Sequence, residues 1–157
     1  MLLGILSDTH GLLRPEVLPA LRGPNRVVDH ILHAGDVGDP AILDALRTIA
    51  PVTAIRGNVD THGPCAQLPD TEAIELAGRL FYLIHSIHDL DLNPAAGIAC
   101  VISGHSHQPS IETRDGVLYL NPGSCGPRRF KLPVTLALLD LTPTTLTPRL
   151  VSLLPTS

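Results

Sequence analysis

His105 and His107 stand one residue apart in VISGHSHQPS, directly after a short apolar run. Near-extended backbone sends residues two apart to the same side. Two neutral imidazoles aimed at one point suit a metal ion. Four other apolar runs end in the same way. LLGILS leads into Asp8, Thr9 and His10; HILHAG into Asp36; PVTAIRG into Asn58, Val59 and Asp60; LFYLI into His85. Each residue also has an ordinary structural use. Asp8 and Asp36 are natural caps of a helix or turn, and Asn58 after Gly57 is a common turn residue. His85 suits a hydrogen-bonded core position. Those uses do not explain why every one of these run ends carries a metal-capable group.

The set holds two carboxylates, one amide oxygen and four imidazoles, an N/O donor set without thiolate. That is too many ligands for one tetrahedral ion. It suits two divalent ions about 3.5–4 Å apart that share a bridging carboxylate. Paired ions lower the pKa of a bridging water, and the hydroxide so formed fits in-line attack on a phosphate ester.

Such residues need elements to position them. Residues 2–6, about 29–34 and the segment PVTAIRG read as buried strands. Residues 15–22 and 40–49 read as helices with Pro15 and Pro40 in their first turns. This β-α-β-α-β order predicts a parallel sheet with crossover helices, and ligand sites in such sheets lie beyond the carboxyl ends of the strands. TEAIELAGRLFYLIH reads as two strands joined near Ala77 and Gly78, followed by a helical turn at 94–97 and a strand at 98–103. SIETRDGVLYLN is a hairpin around Asp115-Gly116, and VTLALLDLTPTTLTPRLVSL a terminal hairpin. Parallel strands first and antiparallel ones later predict an α/β fold of two packed β-sheets flanked by helices. Residues 1–157 form a single domain on this reading.

Composition narrows the function classes. The 157 residues are 44% hydrophobic and only 3% aromatic, so the core is aliphatic. The net charge of −4, without a basic stretch, argues against a nucleic-acid scaffold. No apolar run approaches the ~18 residues of a membrane helix, and the N-terminus lacks a basic n-region. The three widely spaced cysteines do not make a disulfide framework. The expectation is a cytoplasmic chain with structural thiols, no membrane association, and a homo-oligomer left open.

SDTHG, AGDVGD, RGNVD, the strand-end His85, SGHSH and NPGS, in that order, resemble the calcineurin-like metallophosphoesterases over nearly the whole chain. The small single-domain bacterial and archaeal phosphodiesterases are the most similar type. The resemblance implies a four-layer α/β/β/α sandwich and two divalent metal ions. By position, Asp8, His10 and His107 would hold one ion, Asn58, His85 and His105 the other, and Asp36 would bridge them. Manganese is the first expectation, and Fe, Co, Ni and Zn also match the donor set. The implied reaction is hydrolysis of a small phosphate ester, a phosphodiester ahead of a monoester, by the bridging hydroxide. Asn58 would also touch a phosphate oxygen.

The sequence departs from that pattern in two places. Many relatives carry a proton-donating histidine after the asparagine, whereas this chain has Val59; general acid catalysis of that kind is typically worth ~10²–10⁴-fold. Asp60 and His62 are the nearby candidates to replace it. Many relatives have Gly after the strand-end histidine, whereas this chain has Ser86, and His88 follows in the same loop. The NPGS segment reads as a tight turn between the sheets. Arg128 and Arg129 follow it, placed either to clamp phosphate at the mouth of the site or to face solvent. His30 and His33 read as structural. A rival from another class is a non-catalytic interaction scaffold of the same fold, like the retromer subunit, but a scaffold should have lost ligands and this chain retains the full set.

Overall fold

The computed structural model describes residues 1–154; the last three residues of the expected domain span, 155–157, lie outside the described residues. In chain order the elements are β1 (Leu2–Leu6), α1 (Val17–Arg22), β2 (His30–His33), α2 (Pro40–Arg47), β3 (Val52–Ala54), β4 (Thr71–Leu76), β5 (Arg79–Ile84), β6 (Cys100–Ile102), β7 (Ser110–Arg114), β8 (Val117–Asn121), β9 (Thr135–Leu141) and β10 (Leu146–Ser152). They form two five-stranded sheets, ordered β10-β9-β1-β2-β3 and β4-β5-β6-β8-β7. The sheets pack face to face. Leu3, Ile5 and Leu32 of the first meet Phe81, Ile102 and Leu120 of the second in one buried aliphatic core.

The first sheet follows the β-α-β-α-β expectation. β1, β2 and β3 are parallel, with Ile5 opposite Leu32 and Leu32 opposite Thr53. The terminal hairpin joins this sheet rather than the second, through antiparallel pairing of β9 with β1. α1 and α2 cover its outer face, where Val17, Leu21, Ile42 and Leu46 pack over Leu6 and Ile31. α1 starts at Val17, later than Pro15, and its Pro19 falls in the first turn, where a missing N–H breaks no intrahelical bond. α2 is capped by the Asp39 side chain, which accepts from the Ala41 N–H, and Pro40 opens it.

The second half differs from the sequence expectation. Its outer pairs are antiparallel, and the hairpin turns at Ala77-Gly78 and Asp115-Gly116 fall where expected, with all four residues at positive φ. Its centre, however, is parallel: β5, β6 and β8 run the same way. Residues 85–99 are long enough to carry the chain back for a parallel crossover. The expected helical turn at 94–97 is a single 3-10 turn, Pro94–Ala96, capped by Asn93. Together with a second 3-10 turn at Ile87–Asp89 it forms the thin outer layer over Tyr82 and Val101. The parallel centre matters for the site, because it points the C-terminal ends of β5 and β6 toward those of β1, β2 and β3.

Candidate metal centre

Five strand ends meet at one edge of the sandwich. The loops after β1 and β2 are zipped together: the Asp8 N–H donates to Gly35 O at 3.0 Å and the His10 N–H to Asp36 O at 2.9 Å. The Gly104 N–H donates to His85 O at 2.9 Å, which ties the loop after β6 to β5. Asp8, His10, Asp36, His105 and His107 all have φ between 47° and 69°. Left-handed backbone is uncommon for non-glycine residues and costs on the order of 1–3 kcal/mol at each. It turns each side chain sharply off the strand axis into the cleft between the sheets. It also corrects the extended-backbone reading of His105 and His107. They do not share a direction. His107 lies beside His10, with ring centroids 5.2 Å apart, and His105 beside His85, at 5.1 Å.

Two clusters result. Asp8, His10 and His107 offer donor atoms within 4.8 Å of one another, and so do Asp36, His85 and His105. Asn58 joins the second cluster: its Oδ1 lies 3.1 Å from His85 Nε2 and 3.1 Å from His105 Nδ1. Asp36 stands between the two. Its Oδ2 is 3.3 Å from His10 Nε2 and 3.2 Å from His85 Nε2, while its Oδ1 accepts from the Val59 N–H. All seven residues expected as ligands are therefore brought to one place.

The surroundings fix which atoms face inward. Asp8 Oδ2 accepts from Ser7 Oγ at 2.7 Å and from the His105 N–H at 3.0 Å. Its Oδ1 is left facing His10 and His107, buried and without a hydrogen bond. His10 Nε2 is likewise buried and unpartnered. His85 Nδ1–H donates to Ala34 O at 2.7 Å, which sets its tautomer and leaves Nε2 as the free donor atom. Unpartnered buried oxygen and nitrogen atoms that converge are what a bound cation would satisfy. The donor set fits divalent metal.

The electrostatics agree. Burial opposes ionisation of Asp36, but the adjoining His85 ring, the Val59 N–H that donates to Oδ1 and the nearby His10 ring outweigh it and bring the carboxyl down to about 2. The facing Asp8 carboxylate, with Asp36 beside it, raises His10 against the opposing effect of burial. Burial would lower His85, but Asp36 and Ala34 more than reverse it. Burial lowers His107, and the charge of Arg129 adds to that effect. The centre is thus negative enough to hold positive charge.

Several supporting residues were not legible in the sequence. Ser7 orients Asp8. The Asn121 amide donates to Gly104 O at 3.0 Å and to Ser106 Oγ at 3.2 Å, which holds the GHSH loop. The Ser124 hydroxyl donates to Asp8 O at 2.9 Å, so the NPGS turn between the sheets also braces the site. Gly57 and Gly104 are close-approach positions. A Cβ on Gly104 would overlap Ser7 Oγ, and one on Gly57 would overlap Asp36 Oδ1. Only burial and contact reveal these roles, and neither can be read from residue type.

The remaining candidates are placed as follows. Asp60 is buried, and its carboxylate accepts from the Val37, Gly38 and Gly57 N–H groups at 2.9–3.1 Å. It pins two loops together with no oxygen facing the centre unengaged. His62 and His88 are exposed. Arg128 and Arg129 line a small cleft of about 200 Å³ with His10 and His107. A larger cleft of about 620 Å³ opens on the other side, beside Asn58, His85 and His105. Cys65, Cys100 and Cys125 are free and buried, and burial pushes the thiols of Cys100 and Cys125 up to about 12. No helix among the described residues is long and apolar enough to cross a membrane.

His33 is fully buried. The Gly35 N–H donates to its Nδ1 at 3.1 Å, so Nε2 carries the proton toward Thr9 Oγ1. Burial depresses its pKa from 6.5 to about 4. A depressed histidine contributes stability that is complete above pH 6.5 and is lost as pH falls toward 4, because the unfolded chain takes up the proton first. The metal-free protein should lose roughly 3 kcal/mol through this group alone. Urea unfolding at pH 7 and pH 4 should show a clearly smaller pH effect in His33→Gln than in the parent. Equal pH effects would remove His33 as the source.

Comparison with known proteins places this geometry. The chain is 38% identical over 135 residues to a protein of Methanothermobacter thermautotrophicus named "Probable metallophosphoesterase", covering 79% of this chain and 77% of that one. It is 29% identical over 158 residues to a phosphodiesterase of Methanocaldococcus jannaschii, covering 89% and 93%. Among solved structures, a single mutant of Vps29 from Entamoeba histolytica superposes with a TM-score of 0.76 at 20% identity, over 97% of this chain and 99% of that one, and so shares the fold. The model of the calcineurin-like phosphoesterase superfamily domain matches residues 1–144. The two-sheet sandwich, its converging strand ends and this match give one answer: the chain belongs to the calcineurin-like phosphoesterase superfamily.

Proposed function

We propose that the protein is a binuclear divalent-metal phosphodiesterase. The observation that carries this reading is the position of Asp36 Oδ2, 3.3 Å from His10 Nε2 of one cluster and 3.2 Å from His85 Nε2 of the other. Asp8, His10 and His107 would hold one ion, Asn58, His85 and His105 the second, and Asp36 both. When bound, such ions supply positive charge for the phosphate and lower the pKa of water. Manganese remains the first candidate, with Fe, Co, Ni and Zn compatible with the same donors.

The chain's own residues then do the following. Ser7 and the His105 N–H hold Asp8 with one oxygen turned inward. Ala34 O holds His85 in one tautomer. The exposed Asn58 reaches the centre from the rim and is placed to contact a phosphate oxygen. Asp60 acts as a positioning residue, since its carboxylate is engaged with three backbone N–H groups. Preference for a diester rests on the similarity to the M. jannaschii phosphodiesterase.

The test is hydrolysis of bis(p-nitrophenyl) phosphate by metal-stripped and reconstituted protein, with bound metal counted by elemental analysis. The expected result is activity only on reconstitution, at two ions per chain. One ion per chain at full activity would sink the binuclear reading. The scaffold alternative draws on the shared fold with Vps29. It predicts no turnover with any of the five metals.

Val59 supplies a further test. It is partly exposed beside Asn58 and has no proton to give. Rates should fall steeply as leaving-group pKa rises, with aryl diesters cleaved far faster than alkyl ones, and Val59→His should flatten the slope. A flat slope in the parent, measured where chemistry limits the rate, would mean that another group donates the proton.

A further inference from the structure

The chain has two phenylalanines, and they are treated oppositely. Phe81 is fully buried between the sheets, whereas Phe130 is 89% exposed. Phe130 also has φ 53°, a genuine outlier for a bulky residue. It is flanked by Arg128, Arg129 and Lys131, so an aromatic tip stands among three cations. The turn is closed by the Leu132 N–H donating to Arg129 O at 3.1 Å.

The base of this turn is fastened to the metal centre. The Cys125 N–H donates to Ser7 O, the Ser124 hydroxyl to Asp8 O, and Arg14 Nε to Gly126 O at 2.7 Å. A Cβ on Gly126 would overlap Thr9 O, so the backbones are in direct contact there. Arg128 and Arg129 line the cleft that holds His10 and His107. The ion pairs found among the described residues involve neither of them. The tip is thus free while its root is rigidly placed beside Asp8.

The opposite side of the centre has the reverse charge. The larger cleft is lined by Asp70, Asp89 and Asp91, and its one guanidinium, Arg56, is held by Asp70 at 2.6 and 3.1 Å. A polyanionic substituent is disfavoured there and favoured on the arginine side. Bases stack on exposed aromatic rings without sequence preference, and neighbouring Arg and Lys take the phosphates.

We propose that the 128–131 turn is a recognition finger for an aromatic base, so that the substrate is a nucleotide-containing phosphodiester with its base stacked on Phe130 and its phosphate drawn over the His10–His107 side. This deepens the phosphoesterase reading and rests on it for the word substrate. The overall negative charge and the short extent of the basic turn favour a small nucleotide over a long nucleic acid.

The test exploits the absence of tryptophan from the chain. Phe130→Trp places a lone indole at the tip of the full-length, metal-replete protein. Titration with adenosine 5′-monophosphate should quench its fluorescence, and ribose 5-phosphate should not. Equal quenching by both, or none by either, overturns the proposal. Vesicles of phosphatidylglycerol and phosphatidylcholine form a second arm. A blue shift with vesicles and no response to the nucleotide would mean a membrane-docking tip instead. In turnover, the ratio of kcat/KM for p-nitrophenyl thymidine 5′-phosphate to that for p-nitrophenyl methyl phosphate should fall roughly tenfold in Phe130→Ala and recover in Phe130→Trp. An unchanged ratio overturns the base-stacking assignment. If the parent cleaves neither ester, the phosphoesterase reading fails, while the quenching titration still decides whether a base binds.

Discussion

Replacing Asp36 by asparagine is expected to cut turnover by more than about 100-fold, the largest loss for any single substitution in the centre. Losing a residue that merely orients a ligand typically costs 10–100-fold in metal affinity or activity. Asp36 faces both clusters through one oxygen, so its loss should exceed that range. The charge matters as much as the shape. The carboxyl is held down to about 2, so it is ionised at neutral pH. Asparagine keeps the volume and the Val59 N–H contact but removes the negative charge from between His10 and His85. Metal content should fall at both positions together, and neither should recover alone as metal is raised. Retention of near-parent turnover with two ions bound would refute the bridging role of Asp36.

His107→Ala and His105→Ala should each depress turnover by at least the roughly 10–100-fold typical of losing a residue that only orients a ligand, but through different positions. His107 is buried against His10 and 3.5 Å from Asp8 Oδ1. His105 is exposed and lies 3.1 Å from Asn58 Oδ1 beside His85. His107→Ala should therefore empty the Asp8–His10 position first, and His105→Ala the Asn58–His85 position. A lost ligand leaves a place for water, so occupancy should partly return at high metal concentration. The exposed His105 position should recover more readily, since water enters it freely. Crystals of both variants soaked at graded metal concentrations give the occupancies directly. The same position emptied in both variants would end the two-cluster assignment.

The elements were legible where their signals are local. The hairpin turns at Ala77-Gly78 and Asp115-Gly116 declare themselves through residues that accept positive φ, and Pro40 marks the start of α2. The parallel centre of the second sheet was not legible, because strand direction depends on how a connection is routed, and residues 85–99 carry no local mark of that route. The joining of β9 to β1 was hidden for the same reason, as partners more than 130 residues apart leave no shared pattern.

By itself the sequence determined which groups are available. Asp8, His10, Asp36, Asn58, His85, His105 and His107 each follow an apolar run, and strand ends are where an α/β sheet exposes chemistry. Their division into two clusters with Asp36 between belongs to the tertiary structure. So do the left-handed turns that part His105 from His107, the burial that makes Ser7, Asn121 and Ser124 into braces, and the exposure of Phe130. The physical reason is one of range. Residue type and spacing report the local backbone, whereas a metal centre depends on distances of about 3 Å between side chains drawn from five strands of two sheets, and only packing sets those.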